Sequence, residues 1–488
     1  MTEAPGSARL EELLDRRTRR LRILVIGMSV GLSLGLAIYA ATRFFPPRPY
    51  GLADDFRVFY AAARILALGQ DPYRLHALQA VEQMVVHYPT LQPALDRFPY
   101  LPVTATLLEP LTKLPFWVSY GLWSVLGVGL LLLTVILMGR DLGWTRSAFL
   151  ALAVLISWVS ILGFSAGQFD ALMFAVLAGA MLLAWHDRPL LSGLVLGLMW
   201  VKPDLLWPAP IFLFLALWER PRRALLFAAG WVVVTALCLA ASPQLLGSWI
   251  TALHHFAQGV GGLQPDLAGL PGLLGAAPRG FGLGTGLLAP GSLALLGAAM
   301  LGLFVFAIWM MMAPDWSRVS PVGRIAWGVG LPLAVWLAVT PYAHPNDDLL
   351  LLPLFMLTVG SDARRIHGPG LGLALVVIAW TLLIWPAGVV PWEVGLAALA
   401  LLGVALWHWR TDERLTGFGA GLCLLALVIL PAVWPFHLLR VGLTPVAVLL
   451  LVVEGARTCW MEVGGAGTGP AYVIDSAGSA VASTATGG

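Results

Sequence analysis

Apolar runs follow one another through most of this chain, separated by short polar gaps, and no soluble fold can enclose that many of them. Such runs read from about Ile23 to Tyr39, then near 117–138, 147–163, 169–185, 190–203, 205–218, 224–240, 290–312, 325–341, 347–360, 370–387, 392–408, 416–434 and 441–453. A bilayer core of about 30 Å needs about 20 helical residues to cross it, so the long runs can span and the short ones must tilt or pair. Over 488 residues the chain is 59% hydrophobic and 11% charged, with 21 tryptophans and a mean hydropathy of +0.84. The class that follows is an all-α polytopic membrane protein in which lipid is the solvent.

Arginine placement orients the spans. Arg16, Arg17, Arg19 and Arg20 precede the first run, which has no small-residue cleavage site after it and reads as an uncleaved span. Alternation then puts Arg140, Arg146, Arg188, Arg220, Arg222, Arg223, Arg318, Arg324, Arg364, Arg365, Arg410, Arg414 and Arg457 on the same side, the cytoplasmic one by the positive-inside rule. A net charge of +3 built this way belongs to membrane topology and not to a nucleic-acid surface. Three cysteines, Cys238, Cys423 and Cys459, have no paired spacing, which argues against a disulfide framework and a cysteine-bound metal.

The same alternation sends Asp54, Asp55, Gln168, Asp170, Lys202, Asp204, His344, Asp347 and Asp348 to the outer face, from segments far apart in sequence. Ionisable groups at membrane depth are costly and gather at functional sites, so one shared outer site accounts for all of them. Asp54 and Asp55 open the stretch DDFRVFYAAARILALGQDPY, although an aspartate ahead of a helical pattern is also a common N-cap. Gln168 and Asp170 begin a span, where capping is the plain alternative; for Lys202 the alternative is snorkelling to headgroups.

Two outer loops are longer, 44–116 and 241–289. In the first, Phe56, Phe59, Tyr60, Ala63 and Leu66 recur at helical spacing, with Arg57 and Arg64 on another face, and Leu75, Leu78, Val81, Val85 and Tyr88 suggest a second helix limited by Pro89. Both read as amphipathic interfacial helices. Glycine and proline fill PDLAGLPGLLGAAPRGFGLGTG in the second loop, which reads as an irregular cover. The domain plan is a cytoplasmic segment over 1–22, a transmembrane domain over 23–456 and a disordered tail over 461–488.

The succession DFRVFYAAARILALGQDPY, FPYLP (Phe98 to Pro102) with LLEPLTKLP, GQFDALMFAVLAGAMLLA, SGLVLGLMWVKPDLL and then HPNDDLLLLPL from His344 resembles glycosyltransferase family 87, the polyprenol-phosphate-mannose-dependent α-mannosyltransferases. That resemblance implies the C-type glycosyltransferase fold with roughly 12–14 transmembrane helices, in the bacterial cytoplasmic membrane, with the active site outside and the N-terminus inside. It implies an inverting transfer of a sugar, mannose first, from a polyprenyl-phosphate donor to a lipid or glycan acceptor, by a chain expected to act as a monomer. It also makes Asp55 the catalytic base. Donor phosphate contacts are then expected from His344, Lys202, Arg57 and Arg64, and acceptor or orienting contacts from Asp54, Gln168, Asp170, Asp347 and Asp348.

No cofactor is implied, and the carboxylate spacing leaves a divalent metal open. A polyprenyl-phosphate-arabinose transferase and a non-enzymatic lipid-linked sugar flippase are the alternatives. A secondary transporter would show two related halves, and DFRVFY and GQFD occur once each.

Overall fold

In the computed structural model the described residues are 53–86, 98–139, most of 147–259, 290–312, 321–340, 343–355, and short pieces within 448–459 and 471–483. The 1–22 segment, the first expected span and those at 370–387, 392–408 and 416–434 lie outside them, as do most of 441–453 and twelve of the seventeen orienting arginines.

The segment expected to form the first outer loop contains α1 (Asp54–Ala67) and α2 (Leu75–Val86), followed by α3 (Pro102–Leu108) and a 3-10 segment at Glu109–Lys113. Then come α4 (Phe116–Met138), α5 (Trp158–Ala166), α6 (Asp170–Trp185), α7 (Pro189–Gly197), α8 (Pro208–Leu217), α9 (Pro221–Ala240), α10 (Leu246–Gly259), α11 (Pro290–Met312) and α12 (Pro321–Val339). Phe116–Met138, Pro221–Ala240 and Ala294–Met312 are long and apolar enough to cross a membrane. Leucines and valines of α4 and α9 such as Val125, Leu133, Leu225 and Leu237 are exposed, as a lipid-facing helix requires and a water-facing one would not tolerate.

Several expected spans are broken. The 190–203 run is α7 plus a 3-10 turn at Leu198–Val201 that stops at Lys202, and the 205–218 run is a helical turn at Pro203–Leu206 followed by α8. Proline is the cause: Pro203 and Pro208 each open a new helical segment, because proline lacks the N–H that would continue the previous one. The 347–360 run begins as a 3-10 segment, Pro345–Leu351.

Part of the loop expected to be irregular is α10, so the 241–289 reading is corrected over Leu246–Gly259; residues 260–289 lie outside the described ones. Here the glycine and proline content of the later residues masked a helical start. Ser248 donates to Asp71 at 2.8 Å and the Trp249 indole donates to the Pro99 carbonyl at 3.0 Å, which fastens α10 to the first outer loop. In the tail expected to be disordered, Ala471–Ile474 (β1) and Ala480–Ser483 (β2) pair antiparallel.

Helix α1 is more enclosed than an interfacial reading suggests. Phe56, Phe59, Tyr60 and Ala63 are buried as their spacing indicates, but so is Arg57. Phe59 packs on Phe169 at 4.6 Å and Tyr100 at 5.2 Å, Phe56 packs on Phe116 and Tyr120 at 5.7 Å each, and the Tyr60 hydroxyl donates to the Leu114 carbonyl at 2.8 Å. These aromatic contacts fix where the first turn of α1, and hence Asp55, points.

Helices α7 and α9 cross backbone to backbone. A Cβ on Gly193 would overlap the Phe227 carbonyl and lie 2.8 Å from the Trp231 nitrogen, and one on Gly230 would overlap the Leu190 carbonyl and lie 2.9 Å from the Leu194 nitrogen. Small residues at such crossings let helices meet where no hydrophobic drive operates between them in lipid. We expect Gly193→Val to lower the thermal unfolding midpoint in detergent by at least the equivalent of overpacking, about 1–3 kcal/mol; an unchanged midpoint would show that the crossing is looser than described.

The two ends of the bundle differ in charge. At one end Arg223 pairs with Asp187 at 2.7 Å and Arg324 pairs with Glu219, bringing together the α6–α7 link, the start of α9, the α8–α9 link and the start of α12. At the other, the start of α6, the end of the 3-10 turn after α7 and the segment after α12 meet through Asp170, Lys202 and Asp347.

Candidate functional site

Asp55 lies in the first turn of α1, where carboxylates are favoured by the helix dipole. Ala53 precedes it in the left-handed region (φ 60°), and its N–H donates to the Ser165 carbonyl at 2.6 Å, which ties the start of α1 to the end of α5. Opposite stands the turn between α5 and α6. Gly167 closes α5 at φ 74°, and a Cβ there would sit 2.5 Å from that of Phe56; glycine alone accepts both the conformation and the approach. The next residue, Gln168, donates from Nε2 to Asp55 Oδ2 at 2.8 Å.

Behind this contact is a buried ionic cluster. Lys202 Nζ donates to Asp347 Oδ1 at 2.7 Å, to Asp170 Oδ1 at 3.2 Å and to Gln168 Oε1 at 3.3 Å. Its backbone (φ −143°, ψ 73°) is extended between the 3-10 turn and Pro203, so the side chain projects from a break in the helix. An ammonium has three N–H donors, and these contacts use all three. The Asp347 Oδ2 accepts from the His344 backbone N–H at 2.7 Å, and the Asn346 amide donates to Asp170 Oδ2 at 2.7 Å. Gly163 leaves room for Asp170: a Cβ there would lie 2.9 Å from Asp170 Oδ2.

The sequence-derived residues therefore divide. Asp55, Gln168, Asp170, Lys202, His344 and Asp347 come together. Asp348 is buried beside them, with both carboxylate oxygens lacking a hydrogen-bond partner among the described residues. Asp54 sits at the rim, about half exposed, 3.6 Å from the Arg57 guanidinium, and Arg57 is also 3.5 Å from the buried Glu82 of α2. Arg64 stands beside the Tyr60 hydroxyl at 3.5 Å. It is nine residues after Asp55, about 13 Å along the helix axis, and so apart from the cluster.

Two participants escaped the sequence reading. Asn346 was hidden inside HPNDD because an asparagine carries no charge to mark it, and Glu82 looked like the polar face of an amphipathic helix. Among the described residues no group of three or more histidine, cysteine, aspartate or glutamate side chains is placed to hold a metal ion.

Burial raises the Asp55 carboxyl above the ordinary carboxylate range, and the neighbouring Asp54 charge adds to the rise. His344 is the largest opposing influence, followed by the Gln168 hydrogen bond and the Lys202 charge. A partly screened carboxylate with a raised proton affinity, facing a histidine, is suited to accepting a proton from a hydroxyl.

The family model of glycosyltransferase family 87 matches residues 98–359, more than half of the chain and all of the cluster contributed by α5, α6, Lys202 and the segment after α12. The chain belongs to glycosyltransferase family 87. No curated protein and no solved structure matches it. The family match begins after α1 and α2, so Asp54, Asp55, Arg57, Arg64 and Glu82 stand outside it, and their assignment rests on how α1 docks against the matched segment. Within family 87 the chain is a glycosyltransferase with a polytopic α-helical membrane architecture.

Proposed function

We propose that this family 87 chain is an inverting transferase that moves a sugar, mannose in the first instance, from a polyprenyl phosphate to a lipid or glycan acceptor, with Asp55 as the base. The observation that carries the proposal is the placement of Asp55, fixed by Gln168 and faced by His344, at the carboxylate-rich end of a lipid-facing bundle. One carboxylate acting as a base fits a direct displacement. The acceptor oxygen forms the new bond to the anomeric carbon, the anomeric carbon–oxygen bond to phosphate breaks, and the acceptor proton passes to Asp55. The leaving phosphomonoester gains negative charge, which needs a cation or hydrogen-bond donors.

His344 is the nearest candidate for that role, its imidazole partly exposed beside the base. Arg57, two residues after Asp55, is buried and engaged with Asp54 and Glu82, and Arg64 is placed to meet a donor approaching along α1. Lys202 is committed to carboxylates, so this reading makes it a support of the site. The arginine-rich end of the bundle is taken as cytoplasmic by the positive-inside rule, and this reading takes the Asp55 end as the outer one. There the donor's prenyl chain stays in the bilayer while its sugar enters from the lipid side.

The test is sugar transfer by the purified full chain in nanodiscs, offered polyprenyl-phosphate-mannose, polyprenyl-phosphate-arabinose or a nucleotide sugar with a panel of glycan and glycolipid acceptors. Transfer from a polyprenyl phosphate sugar alone is expected. Transfer from the nucleotide sugar, or movement of the intact donor across the bilayer without transfer, would overturn the reading.

A further inference from the structure

The geometry points to Gln168 and Lys202 as positioning residues that hold the base through a single directional amide, so that Asp170 and Asp347 act on Asp55 without touching it. The inference rests on the reading of Asp55 as the base. It follows from the donor and acceptor inventory of the contacts. A lysine ammonium can only donate, so the Gln168 atom facing Lys202 at 3.3 Å must be the carbonyl oxygen. The amide nitrogen is then forced to face Asp55, where it donates at 2.8 Å. The orientation that a glutamine amide ordinarily leaves ambiguous is fixed here by a charge.

Lys202 is fixed in turn. Its side chain is 1% exposed and is gripped by Asp170 and Asp347, which are 3% and 0% exposed. Asn346 holds the second oxygen of Asp170, and the His344 N–H holds the second oxygen of Asp347. The chain of contacts runs from the segment after α12, through Lys202, to the α5–α6 turn and the first turn of α1.

One consequence is positional. With Oδ2 of Asp55 taken by Gln168, the other carboxylate oxygen is the one presented to an acceptor hydroxyl. A second consequence is electrostatic. The groups facing Asp55 are Asp54 on its own helix, His344 from the segment after α12, Gln168 from the α5–α6 turn and Lys202 through Gln168. Of these, His344, Gln168 and Lys202 all favour the ionised carboxylate, so removing Gln168 or Lys202 leaves a base that protonates at higher pH. A phosphate-binding lysine would behave differently, because its loss would weaken donor binding and leave the base alone.

The experiment measures pH profiles of kcat and of kcat/KM for the donor in the full chain and in Gln168→Met, Gln168→Glu and Lys202→Met, all in nanodiscs. Gln168→Met keeps the side-chain length at a partly exposed position and removes both hydrogen bonds; Gln168→Glu still accepts from Lys202 but places a second carboxyl against Asp55. We expect the acid limb of kcat to move to higher pH in Gln168→Met and further in Gln168→Glu, with kcat near neutrality reduced at least about tenfold and donor KM little changed. Lys202→Met, where it folds, should move the limb in the same direction. An acid limb that stays in place in both Gln168 variants overturns the inference, and so does a large rise in donor KM with kcat retained. Full activity in Asp55→Asn would instead overturn the reading of the base itself, and the inference would fall with it.

Discussion

Asp55→Asn is expected to abolish measurable sugar transfer while leaving the chain folded. Asparagine has nearly the same shape, and its amide can still meet Gln168 after a flip, so the first turn of α1 keeps its place; what it lacks is the ability to take the acceptor proton. General base catalysis of this kind contributes roughly 10²–10⁴-fold, and a sugar hydroxyl without a base is a poor nucleophile, so the loss should lie towards the upper part of that range. Donor KM should change little, since the deleted function acts in the transition state. Asp54→Asn is the matching control: Asp54 is half exposed at the rim, and its replacement should reduce transfer far less. If Asp54→Asn were the inactive variant and Asp55→Asn the active one, the base would be the residue one position earlier.

Lys202→Met carries the second large expectation, and it concerns folding. The ammonium lies among two carboxylates that are nearly inaccessible to solvent. Removing one member of such a buried pair leaves charge without a partner and typically costs about 3–5 kcal/mol. Here two carboxylates would be stranded, with Asp348 buried close behind them. We expect poor yield and a sharply lower thermal midpoint in detergent. Asp170→Asn should be milder, because Lys202 keeps Asp347 at 2.7 Å and the new amide can still hydrogen-bond. Equal and small losses in both variants would mean that water reaches the cluster and that the ion pairs are not buried in the membrane protein.

Much of this arrangement could be read in the sequence because it was written in residue type and period. The aromatic spacing from Phe56 to Ala63 gave the buried face of α1, and the uninterrupted apolar run at 117–138 gave α4 to within a residue. The gathering of Gln168, Asp170, Lys202 and His344 followed from alternation of the spans, since each polar residue stands at the beginning or end of a run on the same side. What escaped depended on three-dimensional contact. Nothing in WVKPDLL says that its lysine turns inward to two aspartates rather than outward to headgroups; both placements satisfy the same hydropathy. Arg57 falls on the expected polar face of α1 and is nevertheless buried, because Glu82 arrives from α2 to meet it. Helix α10 was obscured by the glycine-rich residues that follow it.

The division of labour has a physical logic. The buried cluster of Lys202, Asp170, Asp347 and Asn346 ties together the segments that end the spans, and the cost of stranding a buried charge leads us to expect that it tolerates little change. Asp55 and His344 sit at its edge, partly exposed, where the proposed function needs substrates to reach them. With Asp55 as the proposed base, separating the fixed charges from the reacting one lets it be held by a neutral amide, which orients it without forming an ion pair that would have to be broken before proton transfer.

The most direct test of the account is the anomeric configuration of the product made from chemically defined β-linked polyprenyl-phosphate-mannose, read by NMR after transfer in nanodiscs. Displacement in one step with Asp55 as base predicts an α-linked product. A β-linked product would require a covalent or otherwise double displacement and would contradict the mechanism built around a single carboxylate.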